Sequence, residues 1–475
     1  MIPVVQTMPA DLLTPLAVYL KLSANSANSF LLESVEGGRS LARYSFIGAD
    51  PETIVRGSDV RVEINDKNGR HTESTGLIQY IRDHFGVRNA VADADLPAFI
   101  GGTIGYLGFD CCDWFEPTLK QGNESDEAAF MFFRSIVAFD HARQEIKIIS
   151  LVFKDEANDE DALKRLFEAA NERNCKIQNI LETGHATVLK AEPNTNQVTV
   201  TSNWERADFE AAVTKIKELI NAGECYQAVL SQCFTRLTNA SPVSIYRALR
   251  SLNPSPYMFL LQFEDKAIVG ASPEMLVRCE DRRLEYRPIA GTRKRGKSGA
   301  EDDALAEEMR HDIKEVAEHQ MLVDLGRNDL GRVAEYGSVT VDTLMSVEKY
   351  SHVQHLVSSL SANLRDGLDR FDALAACFPA GTVSGAPKVR AIEIIRDLEP
   401  TPRGVYAGAV GYFDYTGNMD TCIAIRTLVL ENGVAKIQAG AGIVADSVPE
   451  LEFEETVSKA RVLLKAVEIA DSGVV

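Results

Sequence analysis

The chain has 475 residues, too many for one ordinary hydrophobic core, so two large lobes are expected. Hydrophobic residues make up 45% and charged residues 25%, the balance of a water-soluble globular protein. A net charge of −19 argues against nucleic acid and anionic membrane surfaces as partners, but not against a small anionic ligand, because local arginines outweigh charges beyond a screening length of about 8 Å.

Residues 1–150 alternate turns with short strand-like runs at 29–34, 43–47, 53–55, 60–64, 132–139 and 145–151. Residues 155–179 are polar with a helical pattern, and 183–203, rich in Thr, Asn and Glu, form the least regular stretch. Ser202 or Asn203 then caps a helix with the stripe Phe209, Val213, Ile216 and Ile220, closed by Gly223. The run 225–236 reads as a strand, with Tyr226, Ala228 and Leu230 on one face and Gln227, Val229 and Ser231 on the other. One long helix is predicted over 301–325. Residues 404–445 read as a meander with strands at 408–412, 421–430 and 435–438, and 449–470 as a helix with Pro449 in its first turn. Meandering strands with separate helices predict an α+β fold of antiparallel sheets flanked by helices. The expected division is an N-terminal lobe at 1–180, an irregular connection at 181–203 and a second domain at 204–475.

The eight cysteines are scattered, with no C-x-x-C pair, and read as reduced, mostly buried thiols. The first residues lack a basic segment followed by an apolar core, and no apolar run is long enough to span a membrane. Cytoplasmic residence is expected.

Two acidic pairs carry the most chemistry. Glu315/Glu318 and Glu452/Glu455 each have i,i+3 spacing on helical stretches, so both carboxylates of a pair share a face. Between them in sequence lie Arg426, in an apolar strand, and Gly440-Ala441-Gly442, whose small residues let backbone N–H groups approach a carboxylate. Four carboxylates beside anion-binding groups make sense if a divalent cation sits between the acids and an anionic substrate. Solvated helix faces and an internal salt bridge to Arg426 are the plainer readings. Lys459, four residues after Glu455, is either its helix partner or a second anion contact, and the second is preferred. The segment 381–388 is not a phosphate loop: its spacing is wrong and Pro387 removes a backbone donor.

The strings RPIAGTR (287–293), DIKEVAEHQMLVDLGRNDLGRV (312–333), HLVSS (355–359), FPAGTVSGAPKVRAIEIIRDLEP (378–400), GAVGYF (408–413), CIAIRT (422–427) and QAGAGIVADS (438–447) together resemble the chorismate-binding enzyme family. The likeness is dense over 205–465 and thinner before it. It implies that family's two-lobed fold. It also implies Mg²⁺ held by Glu318 and Glu455, with Glu315 and Glu452 acting through water. Chorismate would be held by Arg426, Tyr406, Lys459 and the Gly440, Ala441 and Gly442 amides. Glu274 matches the acid that protonates the departing C4 hydroxyl, His355 a histidine beside the ring, and Thr292 and Thr382 polar groups of the pocket.

Two positions separate branches of the family. Gln227 stands where water-activating members carry lysine, and Ala290 where many aminodeoxychorismate synthases carry a nucleophilic lysine. Both point to direct attack of ammonia at C2. The expected reaction is chorismate plus ammonia to anthranilate and pyruvate, with an aminodeoxychorismate synthase large subunit as the alternative. A catalytically dead sensor of aromatic amino acids, the third reading, would have no use for the acids.

The resemblance also implies a tryptophan inhibitor site spanning both lobes, made by Glu33, Ser34 and the turn Asn253, Pro254, Ser255, Pro256, Tyr257 and Met258. Ammonia would come from a separate glutamine amidotransferase subunit, with a heterotetramer as the family expectation. Cys233 departs from the family pattern, which has arginine there.

Overall fold

The computed structural model describes residues 1–34, 43–88, 95–120, 128–187, 199–350 and 353–473. Of the irregular connection predicted at 181–203, residues 188–198 lie outside the described residues.

Two large antiparallel sheets pack face to face. The first runs, edge to edge, through Ile2–Pro9, Glu145–Val152, Ser135–Asp140, Tyr44–Ala49, Ser29–Glu33, Tyr257–Gln262, Lys266–Ser272, Thr427–Glu431, Val434–Ile443, Gln227–Leu237 and Thr201–Ser202. The second runs through Ile289–Lys294, Val353–Asn363, Arg283–Tyr286, Met275–Glu280, Met419–Ile423, Ala409–Asp414, Gly102–Leu107, Ala128–Phe133, Thr53–Gly57, Val62–Asp66 and Gly69–Glu73. Both sheets take strands from either side of residues 181–203, so the halves of the sequence share one framework.

Aromatic rings fill the space between the sheets. Phe30 meets Phe133 edge-on with centroids 4.8 Å apart, and Phe99 lies 4.6 Å from Tyr412. Such pairs add about 0.5–1.5 kcal/mol beyond the area they bury. Gly270 is required here, since a Cβ at that position would lie 2.1 Å from the Phe259 ring. On its other face the first sheet is covered by Pro15–Ser23, Pro242–Leu252 and Pro449–Asp471, which bury Tyr19, Tyr246 and Leu463. None of the eight cysteines is in a disulfide, and among the described residues no helix is long and apolar enough to cross a membrane.

Several elements differ from expectation for physical reasons. The run 132–139 is two strands, Ala128–Phe133 and Ser135–Asp140, in different sheets. The single helix predicted over 301–325 is two, Gly299–His311 and Ile313–Gly331. Asp312 breaks it: its backbone is extended and its carboxylate accepts the Glu315 N–H at 3.2 Å. That is N-capping, and the pattern Asp312-x-x-Glu315 is a legible signal for a new helix. The helix at 206 is not capped by Ser202 or Asn203. Glu205 occupies its N-cap, while Asn203 Oδ1 accepts the Cys233 N–H at 2.8 Å. Gly223 does close that helix, with φ +82°. The run 421–430 is also two strands, Met419–Ile423 and Thr427–Glu431, again in different sheets. Arg426 therefore sits at a corner rather than inside a strand.

A candidate active site where the chain crosses between sheets

Two crossings from sheet to sheet lie side by side. The chain leaves the first sheet at Ser272, enters the second at Met275, and carries Glu274 between them. It returns from Ile423 to Thr427 with Arg426 in between. The crossings are stitched together: Ile423 N donates to Glu274 O and Ala271 N to Arg426 O, each at 3.1 Å, and Ser272 Oγ donates to Ile423 O at 2.7 Å. Arg426 has φ +50°, a left-handed conformation that non-glycine residues seldom adopt and that marks stored strain.

Glu274 is buried, and burial pushes its carboxyl up to about 8; only the nearby Thr382 hydroxyl pulls the other way. Neither Glu274 Oε1 nor Thr382 Oγ1 completes a hydrogen bond among the described residues. Two buried polar atoms without partners are costly to keep, and the cost makes sense if a ligand satisfies them. Thr382 lies on the turn Gly381–Val383, which packs against the helix 313–331 and the strand 434–443 and so joins Glu274 to both.

Arg426 makes no ion pair among the described residues, so it is not held by a salt bridge to either acidic pair. Burial lowers its pKa, while Tyr406 and Glu455 raise it. Tyr406 is buried and pushed up to about 12 by desolvation, so it stays a neutral hydroxyl at working pH. A Cβ at Gly440 would lie 2.7 Å from the Tyr406 hydroxyl, and one at Gly442 2.3 Å from Gln227 Nε2. Glycine is needed at 440, where the Leu230 carbonyl also lies 3.0 Å away, while at 442 a side chain would only have to push aside the flexible Gln227 amide. Val434–Ile443 pairs with Thr427–Glu431 only as far as Ile437, whereas its other edge stays paired with Gln227–Leu237 through Ile443. Where Arg426 turns away, one edge of Gly440-Ala441-Gly442 is left open. Open backbone groups beside a guanidinium suit a carboxylate. Gln227 is buried with its Oε1 unpartnered.

His355 is half-buried on Val353–Asn363. Its Nδ1 lies 3.0 Å from both Gly291 O and Thr292 Oγ1. A carbonyl only accepts, so Nδ1 carries the proton and Nε2 is left as a free base. Burial lowers its pKa, the Gly291 carbonyl opposes this, and Arg426 adds to it. The imidazole is thus neutral at pH 7. Gly291, at φ +64° on a bulge between Ala290 and Thr292, brings the strand against Glu315: a Cβ there would lie 3.1 Å from Glu315 Oε2.

Glu315 thus lies against Gly291, whose carbonyl holds His355, and the charge of Arg426 is felt by His355 while Arg426 in turn feels Tyr406 and Glu455. Each pair is engaged by a cation. Arg293 Nη1 lies 2.9 Å from Glu315, and Lys459 Nζ lies 2.7 Å from Glu455 and 2.9 Å from Gly440 O. Lys459 is here the i,i+4 partner of Glu455. Among the described residues no three carboxylate, imidazole or thiol groups stand together as a ready metal cage. The four glutamates are hard oxygen donors of the kind Mg²⁺ takes, but here Glu315 and Glu455 are each paired with a cation. Nothing in the sequence singles out Arg293, although it directly follows Thr292.

A second cavity opens between the sheets about Glu33 and Ser34. Leu32, Pro256, Tyr257, Met258, Tyr44 and Tyr412 line it, together with Arg278 and Asp420. Met258 is the cross-strand partner of Glu33, which explains why these two distant segments meet. Asn253, Pro254 and Ser255 are not among its lining residues; Asn253 ends the helix Pro242–Leu252. The Glu33 carboxylate is already engaged by the Tyr246 hydroxyl and by Arg250 at 3.2 Å. Arg278 and Asp420, paired at 2.7 Å, supply further charges of both signs, and the sequence holds no signal for them. Cys233, half-buried, lines a separate surface recess with Lys266, Arg403 and Tyr406.

A family model described as chorismate binding enzyme matches residues 28–465. Anthranilate synthase component 1 of Acetivibrio thermocellus is 46% identical over 99% of this chain and 96% of that protein. The protein of the same name from Pseudomonas putida is 45% identical over the same shares. Among solved structures, anthranilate synthase component I from Streptococcus pneumoniae TIGR4 superposes with a TM-score of 0.75 at 35% identity, covering 96% of this chain and 98% of that one. The menaquinone-specific isochorismate synthase from Escherichia coli, at 19% identity and a TM-score of 0.72, shares the fold.

Proposed function

Because this chain belongs to the chorismate binding enzyme family, we propose that it is the aminating subunit of an anthranilate synthase. It would convert chorismate and ammonia to anthranilate, pyruvate and water, a step of tryptophan biosynthesis, in the cytoplasm. The observation that carries this reading is the corner where neutral Glu274, Arg426 and the open glycine edge meet, with no lysine at positions 227 or 290. Without such a lysine neither water activation nor a covalent adduct at C2 has a nucleophile or base there, so ammonia attacks C2 itself.

Glu274, protonated below about 8, donates its proton to the departing C4 hydroxyl. His355, neutral with Nε2 free, accepts the C2 proton as pyruvate leaves C3 and the ring becomes aromatic. Arg426, the Tyr406 hydroxyl and the backbone of Gly440 to Gly442 hold the substrate's carboxylate, and Lys459 lies beside them. Glu318 and Glu455, with Glu315 and Glu452 behind them, would hold Mg²⁺, which when bound supplies a positive centre that polarises the ring carboxylate.

The relatives are named component 1, and we read the second component as a glutaminase that delivers ammonia. With ammonium salts the isolated chain is expected to consume chorismate, faster at alkaline pH where more NH₃ is free. With glutamine alone it should be inactive until a glutaminase partner is added. Glutamine-dependent turnover by the isolated chain would contradict the separate subunit.

The second cavity is read as the tryptophan inhibitor site. Its aromatic and methionine walls suit an indole, and Glu33, Asp420 and Arg278 suit an amino-acid head group. Ser34→Phe, which fills the cavity, and Met258→Thr, which removes a wall, should raise the tryptophan concentration needed for inhibition. Coupling of about 1–3 kcal/mol corresponds to shifts of roughly 5- to 150-fold. The uninhibited rate should stay within a few-fold. Unchanged tryptophan sensitivity in both variants would rule the cavity out as the inhibitor site.

A further inference from the structure

Behind the corner that carries Glu274 lies a charged pair shut away from water. Glu399 directly follows the helix Lys388–Leu398, Arg403 stands four residues further on, and their side chains are only 4% and 2% exposed. The guanidinium meets the carboxylate with two nitrogens, Nε donating to Oε2 at 2.9 Å and Nη2 to Oε1 at 2.7 Å. It also reaches two backbone carbonyls on different elements: Nη1 donates to Val383 O at 2.7 Å and Nη2 to Val229 O at 2.6 Å. Val383 ends the turn whose Thr382 hydroxyl lies near the Glu274 carboxyl, and Val229 belongs to the strand Gln227–Leu237. The carboxylate adds its own tie to that strand, accepting from Ser231 N and Ser231 Oγ, each at 2.8 Å. Desolvation offsets much of the attraction within a buried pair, which makes stability a weak reason for keeping one. What the rigid guanidinium fork supplies is a fixed spacing between turn and strand.

Resting on the anthranilate synthase reading above, we propose that Arg403, oriented by Glu399, is a positioning residue for the reaction: it fixes the turn Gly381–Val383 against the strand Gln227–Leu237 and so keeps Thr382 beside Glu274. The residues after the turn are already tied to this strand through their backbones, with Val229 N donating to Ser384 O at 2.9 Å. Arg403 extends that hold to Val383 itself, next to Thr382. The Thr382 hydroxyl opposes the burial that raises the Glu274 pKa. Loosening the turn therefore misaligns the acid and lets its pKa climb further.

The test is steady-state kinetics of the full chain with chorismate, ammonium and Mg²⁺ across pH. Arg403→Lys keeps a positive charge beside Glu399, but one ammonium cannot reproduce the fork. It should lower kcat by about 10- to 100-fold, the cost of a small misplacement caused away from the chemistry. KM for chorismate should stay within about three-fold, because the loss falls on the chemical step. The pH at which kcat/KM stops rising should move up from about 8. In a Thr382→Val background the same substitution should cost less than about three-fold, since the two residues act as one unit. Glu399→Gln keeps the shape of the pair and weakens it; it should show the same signature and serves if Arg403→Lys fails to fold. Arg236→Lys disturbs another buried pair, with Asp471 at 3.0 Å, and should leave kcat within about two-fold. Full kcat, a raised KM alone, an unmoved pH break, or full additivity with Thr382→Val would overturn the proposal and leave the functional reading standing. A wild type that forms no anthranilate would overturn both.

Discussion

Replacing Glu274 by glutamine is expected to lower kcat by about 10²–10⁴-fold, the contribution of a positioned general acid, while making the protein more stable at neutral pH. The two effects share one cause. Burial raises the Glu274 pKa from 4.5 to about 8. The unfolded chain releases this proton near the ordinary value, and the native state keeps it until about 8. The stability tied to the neutral form is therefore complete below about 4.5 and is lost as pH rises through about 8. Glutamine never ionises and does not incur this loss. At pH 7 the difference is on the order of 3 kcal/mol, from a shift of 1.36 kcal/mol per pKa unit. Urea unfolding of both proteins at pH 5 and pH 8 should show the gap widening with pH. In the wild type kcat/KM with ammonium should rise with free NH₃ up to about 8 and then level off, because the acid ionises as fast as NH₃ is freed. Glu274→Gln, though much slower, should keep rising beyond that point. Retained activity, or equal stability at both pH values, would remove Glu274 from its role.

Arg426→Ala should lower kcat/KM for chorismate by about 10²–10³-fold, as expected when one member of a buried charged contact is truncated. Folding should not suffer. Arg426 makes no ion pair among the described residues, burial depresses its pKa, and its backbone sits at φ +50°. A cation kept against desolvation and strain is retained for what binds there. Arg426→Gly, which tolerates that backbone, should be at least as stable as the wild type and equally poor at binding. Thermal unfolding beside steady-state kinetics checks this. A sharp loss of stability in both variants would mean that Arg426 is a structural residue.

Much of this site is legible in the amino-acid sequence. The i,i+3 spacing of Glu315/Glu318 and Glu452/Glu455 places each pair on one helix face, and the helices Ile313–Gly331 and Pro449–Asp471 carry them. The α+β architecture with antiparallel sheets also follows from the meandering strands. What stays hidden is where the chain changes sheet. Residues 132–139 and 421–430 are each largely apolar, because both halves of each run are buried, so periodicity gives no mark of the corner at Arg134 or at Arg426. A charged residue at each break is the only local sign. The corner that holds Glu274 and Arg426 arises from two such crossings, and pairing across about 150 residues, such as Ile423 with Glu274, is not written in either segment alone. Arg293, Arg278 and Asp420 escape notice for a related reason. Each reads as an ordinary surface charge until the fold supplies its partner.

The proposed activity is tested most directly by the product that the isolated chain forms from chorismate, ammonium and Mg²⁺. Fluorescent anthranilate together with an equal amount of pyruvate is the expected result. A C4-aminated product that keeps its enolpyruvyl group, a hydroxylated product, or chorismate left unchanged would contradict it.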